Sequence, residues 1–355
     1  LVLLALALME PVHLDEQPKK NANDLVVAAD NSAGLAVALS ADQPAPAEEV
    51  REALVTEDPA VFPGWLERIG DTGTALVDRV DMICFTGSVA TGRKVAVQAA
   101  QNFIPACLEL GGKDPAIVLA DADLDRAADA ILRSAAGSNG QACMSVERVF
   151  AQRDVFDALV EKLASRAAAL EFNAPDIHCG QLPPFIFGTQ ADKVAEQLQD
   201  ALDRGATLHC GGPPEQIQGG GWWQRPAVLT NISTDMQLMR EETFGPLIPV
   251  MPFDSDAEAL QLANDSEFGL SGCVFGEEQH AIAVAGGLEV GAVGINDASM
   301  TALIHDVEKQ SFKHSGLGPS RMGDQGLLRF LRTRAIMIQR DPPASMAVFD
   351  ESLMP

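Results

Sequence analysis

The sequence predicts an α/β fold, in which helices cover a mostly parallel sheet, and three features support this prediction. Short apolar segments that end in glycine turns alternate with longer segments whose apolar residues recur at helical spacing. One glycine turn lies directly between a predicted strand and a predicted helix. The 355 residues, 47% of them hydrophobic, suffice for one large core or for two domains.

The first strands of this pattern lie in the N-terminal third of the chain. Residues 25–29 and 35–39 are apolar runs of strand length. Residues 80–85 predict a buried strand because their apolar run stops at a glycine turn. Residues 92–101 follow as a helix. The turn between this strand and this helix puts backbone N–H groups at a helix N-terminus, where a pyrophosphate can bind.

The alternation of strands and helices continues through the middle of the chain. Residues 115–119 predict a second buried strand, and residues 124–136 an alanine-rich helix. Residues 155–170 have apolar side chains at helical spacing, and residues 194–202 repeat this pattern. The apolar stripes on these helices predict core packing and not a binding surface.

The acidic balance of the chain restricts its partners. It has 50 Asp and Glu against 25 Lys and Arg, a formal net charge of −25. This charge repels phosphate backbones and anionic lipids, so we expect neither nucleic acid nor a membrane surface as a partner. The charges are dispersed, which favours a solvated acidic surface over an acidic interaction tail. The apolar run at residues 1–9 is too short to span a bilayer. It predicts a buried strand or a start-site artefact, with a signal-peptide remnant as the alternative.

The cysteines argue against a metal site and a disulfide scaffold. No Cys-x-x-Cys pair and no His-rich spacing accompanies them, so the sequence predicts no bound metal and a reducing, cytoplasmic location. The six cysteines are Cys84, Cys107, Cys143, Cys179, Cys210 and Cys273.

Two glycine-bearing turns carry the candidate catalytic groups. Glu109 lies in Leu-Glu-Leu-Gly-Gly-Lys, and Cys143 ends Gly-Gln-Ala-Cys, 34 residues later. A lone cysteine is more often a small buried hydrophobic residue, and a lone glutamate before Gly-Gly can simply cap a turn. Together they offer a thiolate that can add to a carbonyl carbon and a base that can activate water to hydrolyse the resulting thioester. We expect the turn before Cys143 to expose its sulfur and to aim N–H groups at the thiolate.

Further segments follow in a recognisable order. Arg148 stands five residues after Cys143. Together with the two turns, these segments resemble the active site and cofactor site of the aldehyde dehydrogenase superfamily, and the resemblance covers residues 62–339. The segments are Phe-Thr-Gly-Ser-Val-Ala-Thr-Gly at 85–92, Glu-Glu-Thr-Phe-Gly-Pro at 241–246, and Asn-Asp followed by Phe-Gly-Leu between 264 and 270.

The resemblance implies an aldehyde dehydrogenase-like α/β fold with three parts. Residues 1–109 correspond to a partial Rossmann-type dinucleotide-binding domain, of which residues 1–60 are degenerate. Residues 110–304 correspond to the α/β catalytic domain. Residues 305–355 correspond to a C-terminal return and oligomerisation segment, whose strand at 335–339 pairs with another subunit. The expected assembly is a homo-oligomer, a dimer or a tetramer.

The resemblance also implies oxidation of a small-molecule aldehyde to a carboxylate with NAD or NADP. Cys143 attacks the carbonyl carbon, and Glu109 activates the water that hydrolyses the thioester. The sequence leaves open which aldehyde is oxidised and which of the two dinucleotides is used. The implied cofactor-binding residues are Gly70 and Gly73 on the adenine side, Gly87, Ser88 and Gly92 in the turn after the strand, and Glu242 and Phe244 on the nicotinamide side.

The chain departs from the family pattern in two places. Residues 1–60 lack the Trp-Asn turn and the Lys-Pro-Ser-Glu segment of the family, and Ser40 stands where the lysine is expected. Because the chain also opens with Leu1, we expect an N-terminally truncated member, with a weakened adenosine side. Arg321 stands where the family often has a glutamate, which predicts a different charge at the access to the site.

The departures at residues 1–60 support a second hypothesis of another class. The chain could be a catalytically impaired paralogue or fragment that acts as a structural partner of full-length relatives. The retained Cys143, Glu109, Glu242 and Phe244 argue for chemistry instead, because a decayed relative is free to lose them.

Overall fold

Two β-sheets carry the fold, and the chain crosses from one to the other directly after Glu109. The computed structural model describes residues 25–29, 36–39, 80–174, 176, 178–217, 220–340 and 346–349. The predicted cofactor residues Gly70 and Gly73, and the departure at Ser40, lie outside the described residues.

The described strands and helices alternate along most of the chain. The strands are β1 (Leu25–Ala29), β2 (Ala36–Leu39), β3 (Met82–Thr86), β4 (Ala106–Glu109), β5 (Asp114–Val118), β6 (Val146–Gln152), β7 (Thr207–Cys210), β8 (Glu215–Gln216), β9 (Trp222–Trp223), β10 (Ala227–Thr230), β11 (Leu247–Phe253), β12 (Phe268–Gly269), β13 (Gly272–Phe275), β14 (Val293–Ile295), β15 (Phe312–Lys313) and β16 (Gly316–Leu317). The α-helices are α1 (Val89–Gln101), α2 (Leu124–Ala136), α3 (Arg153–Ala168), α4 (Gly188–Asp203), α5 (Gln237–Arg240), α6 (Asp256–Asn264), α7 (Glu278–Ala285), α8 (Met300–Leu303) and α9 (Gln325–Leu328).

The first sheet has five strands in the order β16-β4-β3-β1-β2. Strands β1, β3 and β4 are parallel, and β2 and β16 are antiparallel to their neighbours. Helix α1 packs on this sheet through a small apolar cluster that includes Ile83, Phe85, Ala99 and Leu108. The helix therefore begins directly above the carboxyl end of β3, where the predicted phosphate-binding turn lies.

The second sheet has seven strands in the order β14-β13-β5-β6-β11-β10-β7, and all pairs are parallel except that of β10 with β7. Apolar clusters cover both faces: α2 and α3 contribute to one, and α4, α6 and α7 to the other. A parallel sheet that is buried on both faces requires continuous apolar strands, and β5 and β10 have this composition.

Most predicted elements are confirmed with small shifts at their ends. The helix at 124–136 has the predicted bounds. The helix predicted at 92–101 begins three residues earlier, because Ser88 caps it by accepting a hydrogen bond from the Thr91 N–H. The helix predicted at 194–202 begins at Gly188, since its first turns have few apolar residues and escape an apolar-periodicity search.

The predicted strand at 335–339 is not formed within this chain. Residues 331–340 have no regular secondary structure, and Ile336, Met337 and Ile338 are 80%, 90% and 72% exposed. A strand exists only through ladder hydrogen bonds to a second strand, and none of the described strands pairs with this segment. Within the described residues, no helix is both long enough and apolar enough to cross a membrane.

Candidate active site

A turn of four residues, 110–113, joins strand β4 of the first sheet to strand β5 of the second. Glu109 is the last residue of β4, and its carbonyl oxygen accepts a hydrogen bond of 3.1 Å from the Gly87 N–H. The Leu110 N–H donates to the Ser315 carbonyl oxygen at 2.8 Å. These bonds place the predicted base beside the predicted phosphate-binding turn.

The two glycines of this turn permit a close approach of two other segments. A Cβ atom on Gly112 would lie 2.3 Å from the carbonyl oxygen of Cys143, and one on Gly111 would lie 2.6 Å from Oε2 of Glu242. The Gly112 N–H donates a hydrogen bond of 3.2 Å to Oε1 of Glu242. The structure thus brings together the turn after Glu109, the loop of Cys143 and the carboxylate of Glu242, which are far apart in sequence.

The loop of Cys143 follows helix α2 and is held by the side chain of Gln141. Its Nε2 donates to the carbonyl oxygens of Ser138 and Pro184 at 3.0 and 3.3 Å, and its Oε1 accepts from the Ile186 N–H at 2.9 Å. The glutamine of the Gly-Gln-Ala-Cys motif therefore has a structural role, because it ties the nucleophile loop to a neighbouring segment.

Cys143 is a thiol at neutral pH in this structure. Burial raises the pKa of Cys143 to about 11, the Asp114 carboxyl adds to this rise, and Arg321 opposes it. The expectation that the glycine turn activates the thiolate is wrong for the chain as it stands, because burial outweighs any favourable local dipole. The thiol must therefore lose its proton when it attacks a substrate.

Glu109 shares a cleft with the residue that follows Cys143. The cleft encloses about 380 Å³ and is lined by Glu109, Met144, Ser271, Lys309 and Arg321, among others. Burial raises the pKa of Glu109 above its ordinary value, and Arg321, Arg329 and Lys309 limit this rise. A carboxyl group with a raised pKa in a cleft suits a general base near neutral pH.

A buried ion pair holds the turn of Glu242 and Phe244. The Glu147 carboxylate accepts hydrogen bonds from the Thr243 and Phe244 N–H groups, both at 2.8 Å, and from Nζ of Lys113 at 2.7 Å. Phe244 has a left-handed φ of 51°, which these bonds stabilise. Sequence reasoning missed Lys113 and Glu147. Their signal is a charged residue next to a buried strand and another within one.

Glu242 has an unusual titration for a carboxyl group. Burial raises the pKa of Glu242 to about 7, and repulsion from Glu147 adds to this rise. The hydrogen bond from the Gly112 N–H favours the ionised form. Its ability to accept hydrogen bonds as an anion therefore depends on pH in the neutral range.

The predicted phosphate-binding turn has a capped helix N-terminus, as expected. Ser88 caps α1, while Gly87 precedes it. Gly92 lies inside the helix: its N–H donates to the Ser88 carbonyl oxygen at 2.8 Å, and a Cβ there would lie 2.6 Å from Cδ2 of Leu110. Gly92 thus allows the helix to pack closely on the chain after β4.

Two further buried charges were missed as site residues. Asp114 follows the glycine turn and accepts hydrogen bonds from the Ser271 N–H at 3.1 Å and from the Ser271 hydroxyl. Burial raises the pKa of Asp114 to about 8. Arg148 donates to the carbonyl oxygens of Lys113, Leu262 and Ala263 at 3.0, 3.3 and 2.8 Å. Its position five residues after Cys143 therefore anchors β6 to β5 and α6.

Comparison with known proteins gives one consistent result. The model of the aldehyde dehydrogenase family matches residues 46–336. Lactaldehyde dehydrogenase of Escherichia coli strain K12 is 35% identical over 268 residues, which are 74% of this chain and 54% of that enzyme. The 4,4'-diapolycopene aldehyde oxidase of a Methylomonas species is 40% identical over 75% of this chain and 49% of its own length. The chain spans about half the length of these curated relatives.

Solved structures agree with the sequence comparison. The putative aldehyde dehydrogenase PutA from Anabaena variabilis superposes with a TM-score of 0.75 at 48% identity, over 78% of this chain and 59% of that one. Betaine aldehyde dehydrogenase from Staphylococcus aureus in complex with NAD⁺ superposes with a TM-score of 0.71 at 32% identity, over 77% of this chain and 55% of that one.

Proposed function

Because this chain belongs to the aldehyde dehydrogenase family and has its α/β fold, we propose that it oxidises an aldehyde to a carboxylate through a thioester on Cys143. One observation carries the proposal. The glycine turn at 110–113 lets the loop of Cys143 approach on one side and Glu242 on the other, while Glu109 lies at the start of the same turn. A nucleophile, a base and a cofactor ligand thus surround one short segment.

NAD or NADP fits the residues around this turn. The N-terminus of the 13-residue helix α1, capped by Ser88, offers N–H groups for a pyrophosphate, and Glu242 offers a carboxylate for ribose hydroxyls. The absence of a side chain at Gly111 leaves the space that this carboxylate occupies. When bound, the nicotinamide accepts the hydride that the oxidation releases. The NAD⁺ complex of the Staphylococcus aureus relative supports this class of cofactor.

In the acylation step the sulfur of Cys143 adds to the aldehyde carbon. The thiol proton leaves during the attack, because a pKa of about 11 keeps the thiol protonated beforehand. The backbone N–H of Cys143 stabilises the oxyanion that forms. Loss of hydride from the carbon then leaves a thioester on the sulfur.

In the hydrolysis step Glu109 takes a proton from a water molecule, which attacks the thioester carbon. The C–S bond breaks, the carboxylic acid leaves, and the thiolate of Cys143 is regenerated. The raised pKa of Glu109 makes it a stronger base than an exposed glutamate. Its cleft, shared with Met144, places it next to the acylated residue.

A burst experiment with p-nitrophenyl acetate tests this assignment, because that ester needs acyl transfer but no hydride acceptor. We expect one nitrophenolate per chain in the burst, and neither burst nor turnover in Cys143→Ala. Glu109→Gln should keep the burst and lose about 10²-fold or more in turnover, the range for losing a general base. Glu161→Gln, which replaces an exposed glutamate, serves as the control. A folded parent chain without a burst would favour the structural-partner hypothesis.

We further propose that copies of the chain assemble through residues 335–339. Three exposed apolar side chains in this segment, Ile336, Met337 and Ile338, support the proposal, because an unpaired apolar segment can add to the edge of another sheet. All six cysteines are free, which supports a reducing, cytoplasmic location. Sedimentation of the parent and of Met337→Asp tests the assembly: an unchanged mass would contradict it.

A further inference from the structure

Strand β16 delivers a cationic side chain to the predicted base. It pairs with β4 so that Gly316 lies opposite Glu109. The chain then reverses at Gly318, whose φ is +95° and where a Cβ would lie 2.6 Å from the Ala106 carbonyl oxygen. Only glycine adopts this backbone without strain. Arg321, three residues later, thereby returns to the end of β4.

The loop that carries Arg321 is held on both sides. The buried Ser320 hydroxyl accepts hydrogen bonds from the N–H groups of Lys309 and Met322, at 2.9 and 3.0 Å. The Gly323 N–H donates to the His305 carbonyl oxygen at 3.0 Å. The backbone on either side of Arg321 is therefore fixed, and its side chain does not have to be ordered by the contact it makes.

Arg321 forms an ion pair with Glu109 at the wall of the cleft. Its Nε lies 3.8 Å from Oε2 of Glu109, and the two side chains are 39% and 21% exposed. Both residues line the same cleft. This distance is longer than a hydrogen bond, so the carboxylate keeps its oxygens available for water.

The other charged groups around Glu109 contribute less directly. Lys309 donates from Nζ to the carbonyl oxygens of Thr301 and Ile304. Arg329 lies over the ring of Phe330 at 4.7 Å. The Ser311 hydroxyl also bonds the carboxylate, and the thiols of Cys84, Cys107 and Cys143 lie within its electrostatic reach. Among the cations described, only Arg321 is at ion-pair distance from Glu109.

We propose that Arg321 is a positioning residue that holds the Glu109 carboxylate at the cleft wall as an anion, ready to accept a proton from water. The inference rests on the proposed hydrolytic role of Glu109. Burial favours the neutral acid, which cannot take a proton, and the guanidinium of Arg321 opposes this effect. Arg321 therefore sets the fraction of chains whose base is ionised at neutral pH.

The ionisation of Glu109 can be measured without any turnover. A water-soluble carbodiimide with glycine methyl ester modifies carboxyl groups more slowly as they lose their proton, and peptide mapping reads the rate at Glu109 alone. We expect Arg321→Gln to raise the midpoint of this pH profile by about 1 pH unit or more, as for removal of a cation within 4–6 Å. Arg321→Lys should restore most of the parent's midpoint. Arg332→Gln, which removes an exposed ion pair with Asp81, should leave it unchanged.

The same variants separate positioning from a structural role in the ester assay. Arg321→Gln should keep the nitrophenolate burst and move the acidic limb of the hydrolysis rate to higher pH, whereas a structural defect lowers the rate at every pH. A midpoint for Arg321→Gln equal to or below that of the parent would overturn the inference. A parent without a burst would contradict the proposed function, while the carbodiimide profile would still decide the role of Arg321.

Discussion

Replacing Gly112 by alanine should misplace Cys143 while the fold persists. The new Cβ would lie 2.3 Å from the Cys143 carbonyl oxygen, and ordinary contact begins at 3.4 Å, so the loop must retreat by 3.4 − 2.3 = 1.1 Å. The Asp114 carboxylate, at 2.9 Å, and the Leu270 Cβ, at 3.3 Å, leave the alanine little room to move away. Misplacement of a reacting group by about 1 Å costs on the order of 10²-fold in rate. Overpacking costs about 1–3 kcal/mol in the free energy of unfolding.

Two measurements test this prediction together. The rate constant of the p-nitrophenyl acetate burst reports acylation of Cys143, and urea unfolding reports stability. Gly137→Ala is the matched control, because a Cβ there meets no atom within 4 Å. The reasoning is refuted if Gly112→Ala acylates as fast as the parent, since the close approach would then have no bearing on Cys143. It is equally refuted if Gly137→Ala slows acylation to the same extent.

Two further predictions concern buried carboxyl groups. Glu242→Gln should weaken NAD⁺ or NADP⁺ binding in calorimetry by about 10- to 150-fold, the worth of a charge-assisted hydrogen bond. Because the pKa of Glu242 is about 7, the parent's affinity should rise as pH increases through 7, whereas that of the variant stays flat. An equal pH dependence in Glu241→Gln and Glu242→Gln would contradict this. Asp114→Asn should change how stability depends on pH, since burial raises the pKa of Asp114 from 3.8 to about 8. The folded chain then binds more protons than the unfolded one, so Asp114 lowers stability progressively from about pH 4 to pH 8. Thermal unfolding should show the variant gaining on the parent over this range, and a constant difference would argue against it.

Local patterns were enough to predict the elements on which the site is built. The apolar run before Gly87 predicts β3, and Asp123 and Gly137 at the two ends of α2 agree with its predicted bounds. The motifs of Glu109 and Cys143 predict a nucleophile and a base by residue type and spacing. Their catalytic roles remain predictions that the variants above test.

Contacts between distant segments were out of reach for the same reasoning. Lys113, Glu147 and Thr243 form a buried network over 130 positions of sequence, and no local spacing announces it. The pKa of Cys143 depends on burial, which is a property of everything packed around the thiol. The expectation of an activated thiolate failed because a sequence motif does not report desolvation.

Arg321 illustrates the division between the two sources. The sequence alone determined that a cation replaces the family's usual glutamate, and that Glu109 and Cys143 belong to the aldehyde dehydrogenase pattern. Only the tertiary structure decided that Arg321 faces Glu109, because β16 pairs antiparallel with β4 and reverses at Gly318. Residue identity and short-range periodicity follow from covalent order, whereas ion pairing and ionisation depend on distances that folding alone sets.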